Sequence, residues 1–435
     1  MSFITGFEQI NKLFFNSKFG HRFMKIPNIT SSSCDEIYII FDFSCGRFYT
    51  HHSSYLKDYR DFLIAKSYKT CVWVNTSADK QVLDIFSGNV EPILRSNLYS
   101  HTSKDNLLLY FIDFLVNLSE RFNTSVIARF LFKRHYLRSA INEFRKHLSK
   151  QSSINIIAPT LDGLGLRFVE EILKRHHKNI SLVSLRVTGA ERRGVFGVSN
   201  SFQVLKKLID LYPTKIHFGF EVKALETVMK SKEIPHEAIF WAPMPHIVRS
   251  KQVSPIKSAK AVPEMRLGFL GSGRPNKGFD QIPYILDELK EKKINFKAIV
   301  QLPKFKWSEF ETTLSKLKER HSQTVIFLES GISKLILDKA IADMDLLVLP
   351  YRLENYKVAG SGILFLACDF RVPVAATEGL AFSWDIEQYQ IGFTFIDAKE
   401  FCYKIRSFKS SNSQLQIDTY NKARNKANSA FLKLI

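Results

Sequence analysis

The residues of this chain best equipped for chemistry sit in three short turns. In Leu267–Phe279, LGFLGSGRPNKGF, an apolar run passes into Gly271-Ser272-Gly273, and Arg274 and Lys277 follow in the same turn. Glycines let a backbone approach a phosphate closely, and amides at a helix start carry partial positive charge. The two cations add full charges, Arg as a bidentate fork and Lys as a point charge. Such a set suits a diphosphate. It is not the dinucleotide fingerprint, because the third glycine is absent at the required spacing, and it is not a Walker A loop. A second turn, Gly360-Ser361-Gly362, again offers amides and a hydroxyl at a helix start, suited to phosphate or ribose oxygens. Glu354 and Tyr356 lie in the polar loop before it, free to point at a ligand. The third turn holds His51 and His52. An imidazole titrates near neutrality, so either can serve as general base on a hydroxyl or hydrogen-bond a sugar. His52 is preferred because it stands closer to the expected helix start. A capping or solvent-facing histidine would leave the same trace, and so would an ordinary strand-to-helix connection at either glycine turn.

Each turn needs a strand before it and a helix after it. Glu36–Phe43 reads as a buried strand that ends in SCGRFYTHHSSY; Ser53 or Ser54 would cap the helix YLKDYRDFLIAKS, and Lys69–Val74 is the next strand. Further strands are predicted at Asn155–Pro159, Ser181–Val187 and Lys215–Phe220, separated by helices near 163–176, 200–211 and 223–231. Between them, Asn106–Phe122 is strongly apolar and Leu131–Lys150 amphipathic. Residues 243–263 carry four prolines and no periodicity, as a linker would. Alternation then resumes, with strands near 266–270, 296–301, 324–328, 345–349 and 373–376 and helices near 278–292, 308–320, 333–342 and 362–370. The ending, Ser413–Leu434, reads as a helix. Alternation of this kind predicts two α/β domains with parallel sheets. The expected division is an N-terminal extension 1–33, a first domain 34–247, a linker 248–263, a second domain 264–410 and a C-terminal helix 411–435. All three turns then fall at carboxyl ends of strands, where open α/β sheets bind ligands.

Composition bounds the partners. The chain has 435 residues, enough for two or three domains, and a formal net charge of +20 that favours anionic partners such as nucleotides or phospholipid head groups. No long Lys/Arg block and no RNA-binding or zinc-finger signature occurs, so nucleic acid is not expected. Five scattered cysteines without a C-x-x-C pair fit a reducing compartment and argue against a disulfide framework or zinc knuckle. No metal is expected in the turns, because the His51-His52 loop shows too few ligands. The N-terminus has no secretory apolar core, and nowhere do 18 apolar residues run together. A cytoplasmic protein is expected, either soluble or peripheral on the inner face of the membrane. In the helix 131–150, Arg134, Arg138 and Arg145 share one face beside Leu137, Ile141, Phe144 and Leu148. That layout suits an anionic bilayer or a helix packed on the core with a basic flank.

Together GFLGSGRPNKGF, ISKLILDKAIADMDLLVLPY and SGILFLACDFRVPVAA resemble the donor-binding domain of GT-B glycosyltransferases, more loosely the retaining enzymes of family 4. The likeness covers roughly Arg266 to Asp397, and over the N-terminal half extends to architecture and the His51-His52 loop. It implies two Rossmann-like, doubly wound domains facing each other across a cleft. It implies a nucleotide-sugar donor, UDP- or GDP-linked, whose diphosphate is held by Gly271, Ser272, Gly273, Arg274 and Lys277. Glu354, Tyr356, Gly360, Ser361 and Gly362 would line the sugar and ribose, and His52 or His51 would serve the acceptor side. The implied activity is hexosyl transfer to a glycan or lipid-linked acceptor in polysaccharide or glycoconjugate synthesis, with no cofactor. The chain departs from family 4 in one respect. Two glutamates eight positions apart are usual there, and Val358 and Leu366 stand at those positions. The second normally holds the ribose hydroxyls, and a hydrogen bond to a charged group is worth about 1.5–3 kcal/mol, so its loss weakens donor binding roughly 10–100-fold unless Glu354 or another group substitutes. The departure keeps two alternatives open, a GT-B-fold sugar-nucleotide epimerase and a non-catalytic GT-B-like binding protein.

Overall fold

The structure is a computed structural model that describes residues 36–433 except 43–44, 46–50, 66, 87–88, 95–136, 151–152, 162, 188–197, 232, 244–263, 272, 304–306, 330–331, 333 and 409. The expected N-terminal extension, the apolar stretch Asn106–Phe122, the linker 248–263 and Ser272 lie outside the described residues.

The first lobe runs β1 (Glu36–Phe41), α1 (His51–Ala65), β2 (Thr70–Asn75), α2 (Lys80–Asp84), β3 (Val90–Leu94), α3 (Arg138–Leu148), β4 (Ser153–Leu161), α4 (Gly163–His176), β5 (Ile180–Val187), α5 (Val198–Leu211), β6 (Ile216–Phe220), α6 (Lys223–Ser231) and β7 (Ile239–Trp241). The second runs β8 (Met265–Phe269), α7 (Ile282–Glu291), β9 (Phe296–Gln301), α8 (Phe310–His321), β10 (Val325–Leu328), α9 (Lys334–Ala342), β11 (Leu346–Leu349), α10 (Leu353–Tyr356), α11 (Gly362–Asp369), β12 (Val374–Thr377), α12 (Ser383–Gln388), β13 (Gly392–Phe395) and α13 (Ala398–Ser407). The long helix α14 (Ser410–Lys433) closes the chain.

Seven strands form one sheet in the order β3-β2-β1-β4-β5-β6-β7, and six form another in the order β10-β9-β8-β11-β12-β13. Every pairing is parallel. Both orders are doubly wound: the chain moves outward from the first strand, then returns and continues on its other side. The order reverses between β1 and β4 in the first sheet and between β8 and β11 in the second. At those two places neighbouring connections leave in opposite directions and open a crevice at the carboxyl ends.

Parallel strands must be covered on both faces, and the side chains divide accordingly. Ile37, Ile39 and Phe41 of β1 enter one core cluster, while Tyr38 and Ile40 enter another on the opposite face. In β11, Leu347 and Leu349 join the cluster that also holds the β1 residues, and Leu346 and Val348 turn to a separate one. One continuous apolar cluster therefore runs through both lobes, and Asp35–Ile435 folds as a single compact unit. Helix α14 helps to join them. Its Arg424, wholly buried, bonds Asp369 Oδ1 at 3.1 Å and lies over the Phe365 ring. One turn later Asn428 Nδ2 donates to Pro243 O, just past β7, at 2.8 Å.

Three edge strands, β3, β7 and β13, have no counterpart among the predicted ones. Each lies at a sheet margin, where one side lacks a partner and the apolar run is short or broken. Pro92 interrupts β3, and β7 has only three residues. The expected helix 131–150 is seen as α3, whose Ala140, Ile141 and Phe144 are buried in the core of the first lobe. Its apolar face is thus used for packing, and Arg138 and Arg145 form an exposed flank. Among the described residues no helix is long and apolar enough to cross a membrane.

Candidate active site

The loops after β8 and β11 flank the crevice of the second sheet, and they interlock. Gly278 has φ +69°, and a Cβ there would sit inside the Pro350 carbonyl, so glycine is what lets the first loop close on the second. Arg352 completes the joint. Its backbone N–H donates to Asn276 O at 3.1 Å, its Nε to Pro275 O at 3.1 Å, and its guanidinium pairs with Asp280 at 2.6 Å. Between Gly273 and helix α7 the chain makes two 3₁₀ turns, Pro275–Lys277 and Phe279–Gln281, so the helix begins at Ile282 rather than near Gly278 as the sequence predicts.

Gln301, at the carboxyl end of β9, holds the glycine loop from beneath. Gly271 N–H donates to its Oε1 at 2.8 Å and Gly273 N–H to its backbone O at 3.2 Å. These two amides are therefore committed, contrary to the expectation that they would cradle a phosphate. What Gly271 supplies is space. At φ +110°, a Cβ on it would fall 3.0 Å from Tyr351 Oη, 3.1 Å from Lys277 Nζ and 3.2 Å from Ile363 Cγ1. An ammonium, a phenol and an apolar wall thus converge on a bare backbone face, and Gly271, Gly273, Lys277, Pro350 and Tyr351 line a small cleft there. Lys277 Nζ stands 5.3 Å from the Tyr351 ring centroid, over its electron-rich face. Arg274 is exposed on the same turn. Tyr351 is 2% exposed, and its hydroxyl lies beside the Ser361 side chain. Burial, then the neighbouring Tyr356, holds its phenol above the ordinary range, with Ser361 pulling against that rise, so it stays protonated and able to donate.

The second predicted turn is adjacent. Ser361, buried, occupies the N-cap of α11, and a Cβ on Gly362 would meet nothing within 4 Å. Residues 353–356 form the short helix α10 rather than a loop, because Tyr356 is buried against Tyr351, with ring centroids 4.5 Å apart, and against Phe382. Tyr356 thereby seats Tyr351 instead of pointing outward. Glu354 is exposed, 3.8 Å from Arg352. Val358 and Leu366 pack against the core cluster as apolar residues do. His51 and His52 open helix α1, two residues earlier than the predicted cap, at the carboxyl side of β1 and hence beside the first sheet's crevice. Their side chains lie outside the described residues.

Gly360 marks where the lobes meet. A Cβ on it would come within 2.5 Å of the Glu221 carboxyl, which follows β6 of the first lobe. Lys223, two residues on, places its ammonium 5.9 Å from the Trp384 ring centroid across the junction. Asp385 is 1% exposed, with neither oxygen hydrogen-bonded among the described residues. Burial pushes its carboxyl up to about 7, with Arg424 and Lys223 pulling against that rise and Glu221 adding to it. The junction therefore brings the Glu221 carboxylate to the same turn that was expected to meet a sugar. Sequence reasoning missed Gln301, Tyr351, Arg352, Glu221 and Asp385. For Gln301 and Glu221 a signal was present, since each is the polar residue that ends an apolar strand at its carboxyl side.

The architecture is that of a GT-B fold. No protein-family model matches the chain, and no curated protein matches it. Solved structures do. The lipopolysaccharide outer core galactosyltransferase WaaB, in its apo form, aligns over 92% of this chain and 99% of its own with a TM-score of 0.56 and 12% identity. HepE of Anabaena, in complex with UDP and glucose, aligns over 91% of this chain and 98% of its own with a TM-score of 0.58 and 12% identity. Sucrose-phosphate synthase from Thermosynechococcus elongatus aligns over 91% and 94%, with a TM-score of 0.55 and 11% identity. These likenesses are of fold, spanning both lobes.

Proposed function

We propose that the protein is a glycosyltransferase that takes a sugar from a UDP- or GDP-linked donor and passes it to a glycan or lipid-linked acceptor. The observation that carries the reading is the convergence of Lys277 Nζ and Tyr351 Oη over the bare face of Gly271, at the crevice of the second sheet. Support comes from HepE, a structural neighbour solved with UDP-glucose.

In this reading the second lobe, 264–410, is the donor side and the first, 34–247, the acceptor side. Lys277 and Arg274 neutralise charge that grows on the leaving nucleoside diphosphate, and Tyr351 donates to one of its oxygens. Ser361 and Gly362 give the sugar or ribose a hydroxyl and an open approach. Glu221 takes the role that the missing glutamates leave, receiving hydroxyl donors at Gly360 from the opposite lobe. His52, or His51 beside it, accepts the acceptor's proton. The exposed flank of α3, with Arg138 and Arg145, is the part of the predicted membrane-facing helix that remains available for anionic head groups.

The test is a panel of UDP- and GDP-sugars incubated with the protein and read by mass, with and without candidate acceptors. Transfer or slow hydrolysis of one donor supports the reading. Conversion of the donor sugar without any acceptor marks the epimerase alternative, and no turnover of any donor marks the binding protein that the missing glutamates would favour. Arg274→Ala should weaken donor binding roughly 10–100-fold, the loss of one charge-assisted hydrogen bond.

A further inference from the structure

On the far side of the first lobe, three side chains of different chemistry meet. Cys71 lies near the start of β2, Glu91 near the start of the edge strand β3, and His147 in the last turn of α3. Their ligand-type atoms, a thiol sulfur, a carboxylate oxygen and an imidazole nitrogen, all lie within 4.8 Å of one another. The topology explains the meeting. A crossover helix runs antiparallel to the strands it covers, so its C-terminal turn reaches their amino ends. The cluster is consequently at the end of the sheet opposite the carboxyl-end crevice.

Internal bonding accounts for these groups only in part: the Glu91 carboxylate lies within interaction reach of His147, Cys71 and Trp73. His147 Nε2 and Glu91 Oε1 are 3.6 Å apart, too far for a hydrogen bond. Both His147 Nε2 and Glu91 Oε2 are buried without a hydrogen-bond partner among the described residues. Leaving such groups unpaired is costly, about 1–3 kcal/mol each and more when charged. Yet 3.6 Å is close to the edge of a tetrahedron of N, O and S ligands around zinc, about 3.3–3.8 Å for metal–ligand distances near 2.0–2.3 Å. The side chains of Glu91 and His147 keep 22% and 16% exposure, which leaves an ion a way in from solvent.

We infer that Cys71, Glu91 and His147 form a divalent-metal site of the zinc type. One thiolate, one imidazole and one carboxylate make the borderline-soft donor set that zinc accepts, unlike the all-oxygen sets of magnesium or calcium. On binding, the Cys71 S–H bond is replaced by an S–metal bond and the proton leaves to solvent. Water completes the fourth position. The ion ties the edge strand β3 to β2 and to α3, so it fastens a sheet margin that Pro92 weakens. This site is independent of the donor cleft and of the proposed transfer.

The experiment uses the full chain, stripped with a chelator, passed into buffer and titrated with Co²⁺ as a spectroscopic stand-in for Zn²⁺. A thiolate-to-cobalt charge-transfer band should rise with one equivalent and vanish when Zn²⁺ is added. The band should be lost in Cys71→Ser, and affinity for Zn²⁺ should fall at least about tenfold in His147→Ala and in Glu91→Gln. Glu91→Gln keeps the shape of the side chain, so it still reports should the other variants fold poorly. Zn²⁺ should also raise the melting temperature of the wild type more than that of Glu91→Gln. Absence of the band at saturating Co²⁺, or its persistence in Cys71→Ser, would overturn the proposal.

Discussion

The two faces that meet at the lobe junction differ in charge, cationic on the second lobe and mixed on the first. On the second lobe, Arg274, Lys277 and Arg352 surround the loops after β8 and β11. On the first, the loop after β6 brings the Glu221 carboxyl against Gly360, with Lys223 two residues on reaching Trp384. A nucleotide sugar also divides in charge. Negative charge grows on the departing diphosphate, while the sugar carbon turns oxocarbenium-like and positive. In the proposed transfer, the cations would lie beneath the departing diphosphate and Glu221 beside the sugar. The two faces differ in construction as well. The cationic one is braced within its own lobe by Gln301, Arg352 and the Gly278–Pro350 contact, whereas the mixed one depends on how the lobes close.

That contrast can be broken one side at a time. Lys277→Ala removes charge where the leaving group departs and should lower kcat about 10²–10³-fold, the usual cost of one transition-state stabiliser. Glu221→Gln should lower kcat/KM for sugar transfer roughly 10–100-fold while leaving the affinity for the bare nucleoside diphosphate unchanged. Equal losses in both measurements would show that Glu221 merely holds the lobes together.

How far these faces could be read from the sequence follows from what each depends on. Gly271, Arg274 and Lys277 are neighbours in the chain, so their chemistry shows as a motif. Central strands such as β1, β8 and β11 show because burial on both faces leaves a continuous apolar run. Tyr351 was hidden, and Gln301 showed only as the polar end of a strand, because only the adjacency of β8 with β9 and β11 brings 271, 301 and 351 together. Glu221 likewise showed only as a strand end, since its meeting with Gly360 is fixed by packing between lobes. Tyr356 illustrates the converse: its place in a polar stretch predicts exposure, and two aromatic neighbours bury it.

A smaller effect, read through pH, tests the buried Asp385 of the second lobe, whose carboxyl feels Glu221 across the junction. Asp385 is held near 7 in the folded protein against about 4 when unfolded, so it binds a proton in the folded state that the unfolded chain releases. Stability therefore falls as pH rises from about 4 to 7 and is flat for this group above that. Asp385→Asn should remove that part of the slope, seen as a thermal midpoint that drops less between pH 5 and pH 7.5 than in the wild type. An unchanged slope would place the carboxyl's proton elsewhere.

The central claim is that the bare face of Gly271, beneath Lys277 and Tyr351, receives a nucleoside diphosphate. Calorimetric titration of the wild type and of Lys277→Ala with UDP and with GDP tests it most directly. One of the two nucleotides should bind the wild type, with affinity reduced roughly 10–100-fold by the substitution. Binding of neither nucleotide, or equal binding by both proteins, would contradict it.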